Sequence, residues 1–314
     1  MAATCIYIGP ELARYGFGRG HPFGPDRLDA FWQHARSLGL DRRVSVRAPV
    51  AATRAALERF HTHAYVERVI RQSATGEGFL DYGDTPAFPG VHEAACFVVG
   101  SVLDGIERLL DGSCRRVFVP IAGLHHARRE GAAGFCVYND CGIAIETLRR
   151  EHAIRRVAYV DIDAHHGDGV FYGFEDDPDL CYADLHEDGR YLYPGSGAAA
   201  ETGTGAAVGT KLNIPLPPGA GDDAFHAAWQ RVEDHLAATP PEFILFQCGA
   251  DSIAGDPLTH LGLTPAAHRH AAARLCVLAD RYCQGRVLAM GGGGYNRTSL
   301  AQAWSAVVEA FVAS

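Results

Sequence analysis

The chain has 314 residues, 47% of them hydrophobic, and its 28 basic and 37 acidic side chains give a net charge of −9. An acidic balance without a basic run argues against a nucleic-acid partner or an anionic membrane surface. No apolar run reaches the length of a membrane span, and the first residues lack the pattern of a signal peptide.

Apolar runs alternate with stretches of helical periodicity along the chain. In chain order we predict a strand at 5–8, a helix ending at 35, a strand at 44–46, helices at 53–60 and 62–72, a loop at 76–90, a helix at 92–110, a strand at 117–121, a helix at 139–151, strands from 157 and at 180–185, a loop at 189–209, a strand at 211–216, a helix at 222–237, a strand at 243–248, a helix at 264–282, a strand at 287–290 and a helix at 296–312. This alternation predicts an α/β fold, with one mostly parallel sheet flanked by helices on both faces. Without a linker or repeat, we expect a single domain over residues 1–314.

The cysteines form no evident framework. Nine are scattered along the chain without a Cys-x-x-Cys pair. This pattern predicts reduced thiols in a cytoplasmic protein, rather than disulfides or a zinc finger.

Polar side chains follow the apolar part of several predicted strands. Because the carboxyl ends of parallel strands share one edge of the sheet, we expect a ligand site there. The side chains brought to this edge are His125, His126, Asp163, His165, His186, Asp251 and Tyr295.

The densest of these segments is 157–169, which begins as a buried strand. Five ionisable side chains follow its apolar run: Asp161, Asp163, His165, His166 and Asp168. Strand side chains alternate, so Asp161, Asp163 and His165 are expected on one face. Burying several charged side chains together is costly unless a group of opposite charge pairs with them. A divalent metal on Asp163 and His165 is the simplest partner, and a strand end closed by ion pairs is the alternative.

A third ligand should come from another strand end. Asp251 is the best candidate because it follows the apolar run 243–248. The alternative is that it caps the next turn. His186 is a rival ligand, although Glu187 and Asp188 predict solvated surroundings for it.

Two carboxylates and one imidazole would neutralise most of the charge of Zn²⁺, so its bound water would need a separate base. One of His125 and His126 can provide that base, with Asp161 and Asp168 as the acceptors that orient the two rings. Tyr295 follows four glycines and could donate to an oxyanion, or pack in the core.

The number of metals separates related chemistries. A two-metal site would want carboxylates at positions 167 and 253, which hold Gly167 and Ile253. The sequence therefore predicts one catalytic metal.

These residues resemble the histone deacetylase superfamily of zinc-dependent amidohydrolases, which share the arginase fold. The segments that carry the resemblance are 21–27, 123–126, 134–136, 161–169, 249–257 and 291–295. The opening sequence from Gly16 to Leu28 is most similar to bacterial deacetylases of the acetoin-utilisation type.

The resemblance implies a role for each matching position. Asp163, His165 and Asp251 would bind one Zn²⁺, or Fe²⁺ in its place. His126, oriented by Asp168, would be the general base and acid, His125, oriented by Asp161, its electrostatic partner, and Tyr295 would polarise the acyl carbonyl. The implied substrate-binding residues are Asp84 at the rim, Gly134, Phe135, Tyr193 and Leu258 along the tunnel, and Arg27 near the inner cavity where acetate leaves.

Two positions depart from the family pattern. Tyr193 stands where phenylalanine is usual in the tunnel. Asp184 replaces a serine that helps to bind a structural potassium ion. A potassium ion is therefore still expected, but the affinity of the site for it should differ.

The function expected from the resemblance is zinc-dependent hydrolysis of an N-acyl amide on a lysine side chain of a protein or peptide, with release of acetate. One alternative is an acetylpolyamine amidohydrolase acting on an acetylated small amine, and another is a catalytically weak acyl-lysine binding module. A two-metal ureohydrolase is disfavoured by Gly167 and Ile253. The oligomeric state, including a homo-oligomer, is left open.

Overall fold

The protein is described by a computed structural model over residues 3–18 and 20–314. Residues 1, 2 and 19, the last of them in the opening motif, lie outside the described residues. The strands are β1 Ala3–Tyr7, β2 Ser45–Arg47, β3 Cys114–Val119, β4 Val157–Asp161, β5 Leu180–Glu187, β6 Lys211–Leu216, β7 Phe243–Gln247 and β8 Val287–Met290. Within the described residues they form one eight-stranded sheet in the order β2-β1-β3-β8-β7-β4-β5-β6. All of its pairs are parallel, as the sequence predicted.

Ten α-helices lie in the described part of the chain. They are α1 Pro10–Ala13, α2 Arg27–Ser37, α3 Arg54–Leu57, α4 His63–Thr75, α5 Val91–Leu110, α6 Asp140–His152, α7 Asp168–Gly173, α8 Asp222–Ala238, α9 Pro265–Tyr282 and α10 Arg297–Ala313. Thr62 and Thr264 cap α4 and α9 through their side-chain oxygens. Among the described residues, no helix is long and apolar enough to cross a membrane.

Helices cover both faces of the sheet, and two neighbouring residues of β3 show it. Val117 faces Gly105 of α5, whereas the Phe118 ring packs edge-on against Phe31 of α2 and Trp304 of α10. Because successive strand side chains point to opposite faces, α5 and the pair α2 and α10 must lie on opposite sides. This confirms the predicted α/β fold.

The central segment departs from one prediction. β4 ends at Asp161, so Asp163 and His165 lie beyond the strand and do not alternate along it. The reason is local, because Asp161 Oδ1 accepts the backbone N–H of Asp163 at 3.0 Å and turns the chain out of the strand direction.

The prediction that all nine cysteines are free thiols is wrong for one pair. Cys5 in β1 and Cys114 in β3 form a disulfide, with their Cα atoms 5.9 Å apart, and the other seven cysteines are free and buried. The two residues are 109 positions apart in the chain, and only the pairing of β1 with β3 brings them together. Spacing along the sequence therefore gave no sign of the bond.

Candidate active site

The predicted metal ligands meet at the carboxyl ends of β4 and β7. His165 Nδ1 lies 3.1 Å from Asp163 Oδ1 and 3.1 Å from Asp251 Oδ2, and the three ligand atoms lie within 4.8 Å of one another. Ligands about 2.1 Å from a tetrahedral zinc ion would be roughly 3.4 Å apart. The cluster therefore has the size of a single-metal site.

The chemistry of these donors also fits a cation. Both carboxylates are at most 1% exposed, and two anions so close together need positive charge. Burial and the charge of Asp163 raise the pKa of Asp251 to about 7. Two carboxylate oxygens and an imidazole nitrogen are a donor set that suits a divalent metal.

Backbone and amide donors hold the ligands in place. Asp163 Oδ2 accepts from Gln247 Nε2 at 2.9 Å and from the Gly293 N–H at 2.9 Å. Asp251 Oδ1 accepts from the Ala164 N–H at 2.9 Å. These bonds leave Asp163 Oδ1 and Asp251 Oδ2 facing His165, so the polypeptide presets the side of each carboxylate that a metal would use.

Glycines make this close approach possible. A Cβ on Gly249 would overlap the carboxylate of Asp163, and a Cβ on Gly293 would overlap that of Asp251. On the other side of the cavity, a Cβ on Gly134 would lie 2.5 Å from Cδ2 of His126, and Gly134 has a positive φ. The walls of the site are therefore backbone at three positions.

Two histidine–aspartate pairs lie beside the ligand cluster. His125 Nδ1 is 2.8 Å from Asp161 Oδ2, and His126 Nδ1 is 2.7 Å from Asp168 Oδ1. The two Nε2 atoms are 3.1 Å apart, so both rings point their free nitrogens to one place. Each aspartate thus lies against the histidine that the family resemblance implied for it.

The two rings occupy different depths. His126 contacts the channel, with its ring centroid 5.2 Å from that of Tyr193, and Gly134 lies against it. His125 is backed by Asp161, which also accepts the hydroxyl of Tyr159 at 2.6 Å. Of the two imidazoles, His126 is therefore the one that a molecule in the channel would meet.

Tyr295 closes the cavity opposite the histidines. With His125, His126, Asp163 and His165 it lines one narrow cavity, and its own N–H donates to Asp256 Oδ2 at 2.8 Å. Burial raises the pKa of its phenol, so the group keeps its proton and can donate it in a hydrogen bond.

Arg27 lies buried behind Tyr295. Its Nε and Nη2 donate to the carbonyls of Gly294 and Gly292 at 2.9 and 2.6 Å, whereas Nη1 has no partner within the described residues. Its guanidinium carbon is 5.8 Å from the centroid of the Tyr295 ring. Arg27 thus supports the segment that carries Tyr295 and leaves one donor at the inner end of the site.

Aromatic side chains form the channel that leads outward. Phe135 packs edge-on against Tyr295 at 5.8 Å, and Tyr193 packs against His126. Leu258 is 38% exposed, and its N–H donates to Asp256, the carboxylate that also holds Tyr295. Leu258 therefore belongs to the outer rim on the Tyr295 side rather than to the depth of the channel.

The channel opens into a mouth of about 740 Å³, which Asp84, Tyr193 and Arg128 help to line. Asp81 orders the loop that carries Asp84. Its Oδ1 accepts the N–H groups of Gly83, Asp84 and Thr85 at 2.9–3.1 Å. The exposed Asp84 is thus presented at the rim by a well-ordered turn.

Residues 21–311 match the family described as "Histone deacetylase domain". The chain belongs to the histone deacetylase family. This membership confirms the predicted resemblance and supports a deacetylase activity.

Several relatives resemble the chain over most of its length. It is 36% identical to the acetoin utilization protein AcuC of Bacillus subtilis, over 94% of this chain and 78% of that protein. It is 32% identical to AcuC of Staphylococcus xylosus, over 99% and 83% of the two chains. Histone deacetylase clr6 of Schizosaccharomyces pombe is 31% identical, over 95% and 74%.

Asp184, which departs from the family pattern, forms hydrogen bonds through both of its carboxylate oxygens. Asp184 Oδ2 accepts from the Gly167 N–H at 2.9 Å and from the Tyr182 hydroxyl at 2.5 Å, and its Oδ1 lies 2.7 Å from His186 Nδ1. Both oxygens already have protein partners, and Oδ1, with a single partner, is the oxygen that keeps a free acceptor site. Potassium binding stays a prediction.

His186 differs from its prediction. It was expected to be solvated, but it is 0% exposed and Glu187 is 1% exposed, because β5 continues to Glu187. Its Nε2 lies 2.9 Å from the Gly197 carbonyl. His186 therefore pairs with Asp184 and lies outside the ligand cluster.

Two residues in this family member were not singled out from the sequence. Gln247 bonds Asp163 and also accepts the Gly249 N–H at 2.7 Å through Oε1. It is a polar residue at the end of an apolar strand, which is the signal that identified the other site residues. Arg128 bonds Asp168 from the surface, and nothing in its sequence context indicates this.

Proposed function

We propose that this chain hydrolyses the N-acyl amide, in the simplest case the acetyl amide, of a lysine side chain in a peptide or protein. We further propose that one Zn²⁺ is held by Asp163, His165 and Asp251. The observation that carries the proposal is the convergence of these ligands, two histidine–aspartate pairs and the Tyr295 phenol on one narrow cavity. The aromatic walls of the channel suit a long alkyl chain that enters from outside.

His126 moves the proton in this mechanism. Its Nε2 takes a proton from the attacking water while Nδ1 stays bonded to Asp168. The water oxygen joins the acyl carbon, the C–N bond breaks, and His126 returns the proton to the amine nitrogen. The remaining hydroxyl proton of the new acetic acid passes to the basic amine, so acetate and the ammonium form of the amine leave and the protein regains its starting state.

Tyr295 and His125 support the charge that develops. The phenol donates to the acyl oxygen as it becomes negative, and His125, held by Asp161, stabilises charge beside His126. A bound Zn²⁺ would supply Lewis-acid polarisation and acidify the attacking water.

Replacing Tyr295 by phenylalanine should lower kcat on an acetyl-lysine peptide by about 100-fold. The phenol is a preorganised donor of the kind worth ~3 kcal/mol in acyl transfer. Steady-state kinetics and metal content should be measured together, with Tyr282→Phe on α9 as the control. A loss of metal in Tyr295→Phe would show that the residue supports the ligand cluster instead.

The ionisation of Asp84 at the acidic mouth determines whether it can bind a peptide substrate. Asp84 is exposed, but its loop partly shields the carboxyl from water. This partial desolvation, together with the negative charge of the neighbouring Asp81, raises the pKa of Asp84 to about 6. The proton goes to Asp84 because Asp81 is stabilised as an anion by three N–H groups. Above this pKa, Asp84 is an ionised acceptor that can take backbone N–H bonds from a peptide.

We expect Asp84→Asn to lower kcat/KM on an acetyl-lysine peptide by roughly 10- to 100-fold, because a charged acceptor contributes roughly 1.5–3 kcal/mol. A minimal acetylated amine should be much less affected. Protonation removes the acceptor, so the advantage of the wild type over Asp84→Asn should be full about one unit above the Asp84 pKa and be lost as the pH falls through about 6. The ratio of the two pH profiles checks this.

A second candidate substrate is an acetylated polyamine, favoured by the carboxylates of Asp81, Asp84 and Glu130 at the mouth. Its ammonium groups would be attracted over a distance, so salt should weaken the interaction. Assaying peptide and polyamine side by side at low and high salt separates the candidates. An Asp84→Asn loss confined to the polyamine and abolished by salt would favour the polyamine.

A further inference from the structure

Arg128 connects the surface of the mouth to the buried pair behind the proposed base. Its Nη2 donates to Asp168 Oδ2 at 3.1 Å. Its side chain is 65% exposed, whereas that of Asp168 is 0% exposed. The other oxygen of Asp168, Oδ1, lies 2.7 Å from His126 Nδ1. Each carboxylate oxygen therefore has its own partner, one toward solvent and one toward the site.

The backbone presets Arg128 for this contact. Its N–H donates to the Gly131 carbonyl at 2.8 Å and its carbonyl accepts the Gly131 N–H at 3.3 Å, which closes a tight turn. Just before the turn, Asn139 Nδ2 donates to the carbonyl of Ala127 at 2.8 Å. The following Arg129 points elsewhere, to the carbonyl of Phe60. Arg128 therefore reaches Asp168 from an anchored segment.

The contact matters because Asp168 is buried. A buried carboxylate oxygen without a partner is costly and would be free to rotate toward another donor. Burial acts against ionisation, but His126 and Arg128 hold the pKa of Asp168 below its usual value. The exposed guanidinium is screened by water in the free enzyme. A peptide covering the mouth would remove that water and strengthen the pair at the moment of reaction.

We propose that Arg128 is a positioning residue for the reaction. By holding Asp168 Oδ2, it sets the plane of the carboxylate so that Oδ1 meets His126 Nδ1 and the Nε2 of the same ring stays aimed at the reacting atoms. The inference rests on the proposed function for its kinetic consequence, but the alignment of His126 is a structural property that can be observed without turnover.

Kinetics provide the first test. Arg128→Ala should lower kcat on an acetyl-lysine peptide by roughly 10-fold or more, the scale of losing an orienting partner. KM should change less than 3-fold, and Arg128→Lys should restore part of kcat. Melting temperature and metal content should stay at wild-type values. Arg155→Ala is the matched control, since it removes an exposed arginine paired with Asp179 at the amino end of β4.

The second test does not need activity. The downfield proton NMR signal of the His126 Nδ1–H, assigned by its loss in His126→Ala, should shift or broaden in Arg128→Ala and recover in Arg128→Lys. If the signal responds but no acylated amine is turned over, the positioning role stands and the proposed function falls.

Three results would overturn the proposal. One is an unchanged kcat with an unchanged NMR signal. Another is a change in KM alone that high salt abolishes and that Glu130→Gln mirrors with opposite sign, which would make Arg128 a charge at the mouth. The third is a lower melting temperature with lost metal, which would make its role structural.

Discussion

Replacing His126 by alanine should lower kcat on an acetyl-lysine peptide by roughly 10²- to 10⁴-fold, the range expected for a general acid–base. The ring is placed for this by the 2.7 Å contact between its Nδ1 and Asp168 and by its position along the channel. No metal ligand is removed, so the metal content should match that of the wild type. Steady-state kinetics and metal analysis of the same preparation check both parts.

His226→Ala is the control for this change, because His226 is exposed on α8. The comparison with His125→Ala is informative as well. If His125→Ala is the more damaging variant and His126→Ala keeps most of its activity, the roles of the two histidines must be exchanged. If His126→Ala empties the metal site, its ring belongs to the ligand cluster.

Asp251→Ala should lose most of its metal and bring deacetylation to background. Removing Asp251 takes away one of three ligands and leaves His165 Nδ1 without the carboxylate oxygen that lies 3.1 Å from it. The loss in metal affinity should exceed the 10- to 100-fold that follows from removing a group that only orients a ligand. Metal analysis after dialysis against a weak chelator, followed by re-addition of Zn²⁺ or Fe²⁺, measures it.

Wild-type protein should bind about one catalytic metal per chain in the same experiment, and the exposed Asp223 of α8 provides the control variant Asp223→Ala. The re-addition series identifies which of the two metals supports turnover. A stoichiometry of two with activity that requires manganese would contradict the single-metal proposal and return the ureohydrolase alternative.

Strand ends explain why much of the site could be predicted from the sequence. His125, Asp163 and Asp251 each follow an apolar run, and a parallel sheet must bring such positions to one edge. The adjacent order β3-β8-β7-β4 does so here. Gln247 obeys the same rule and could have been found, because it is the polar last residue of β7.

Other features depend on tertiary contacts that no local pattern encodes. Arg128 reaches Asp168 only because of the turn that it forms with Gly131. His186 is buried because β5 continues past the predicted end and because Asp184 forms a hydrogen bond with the Nδ1 of its ring. The bond between Cys5 and Cys114 joins strands that are neighbours in the sheet and far apart in the chain.

The glycine walls constrain how this site can be re-engineered. Gly134, Gly249 and Gly293 leave no room for a Cβ beside His126, Asp163 and Asp251, so even alanine at any of them should displace a functional group. A directed-evolution library aimed at longer acyl groups should therefore recover few active variants from substitutions at these three positions. Tyr193 and Leu258 are partly exposed at 45% and 38% and lie toward the outer end of the channel. Variation there should change which acylated peptides are accepted, while the residues that cleave the amide keep their geometry.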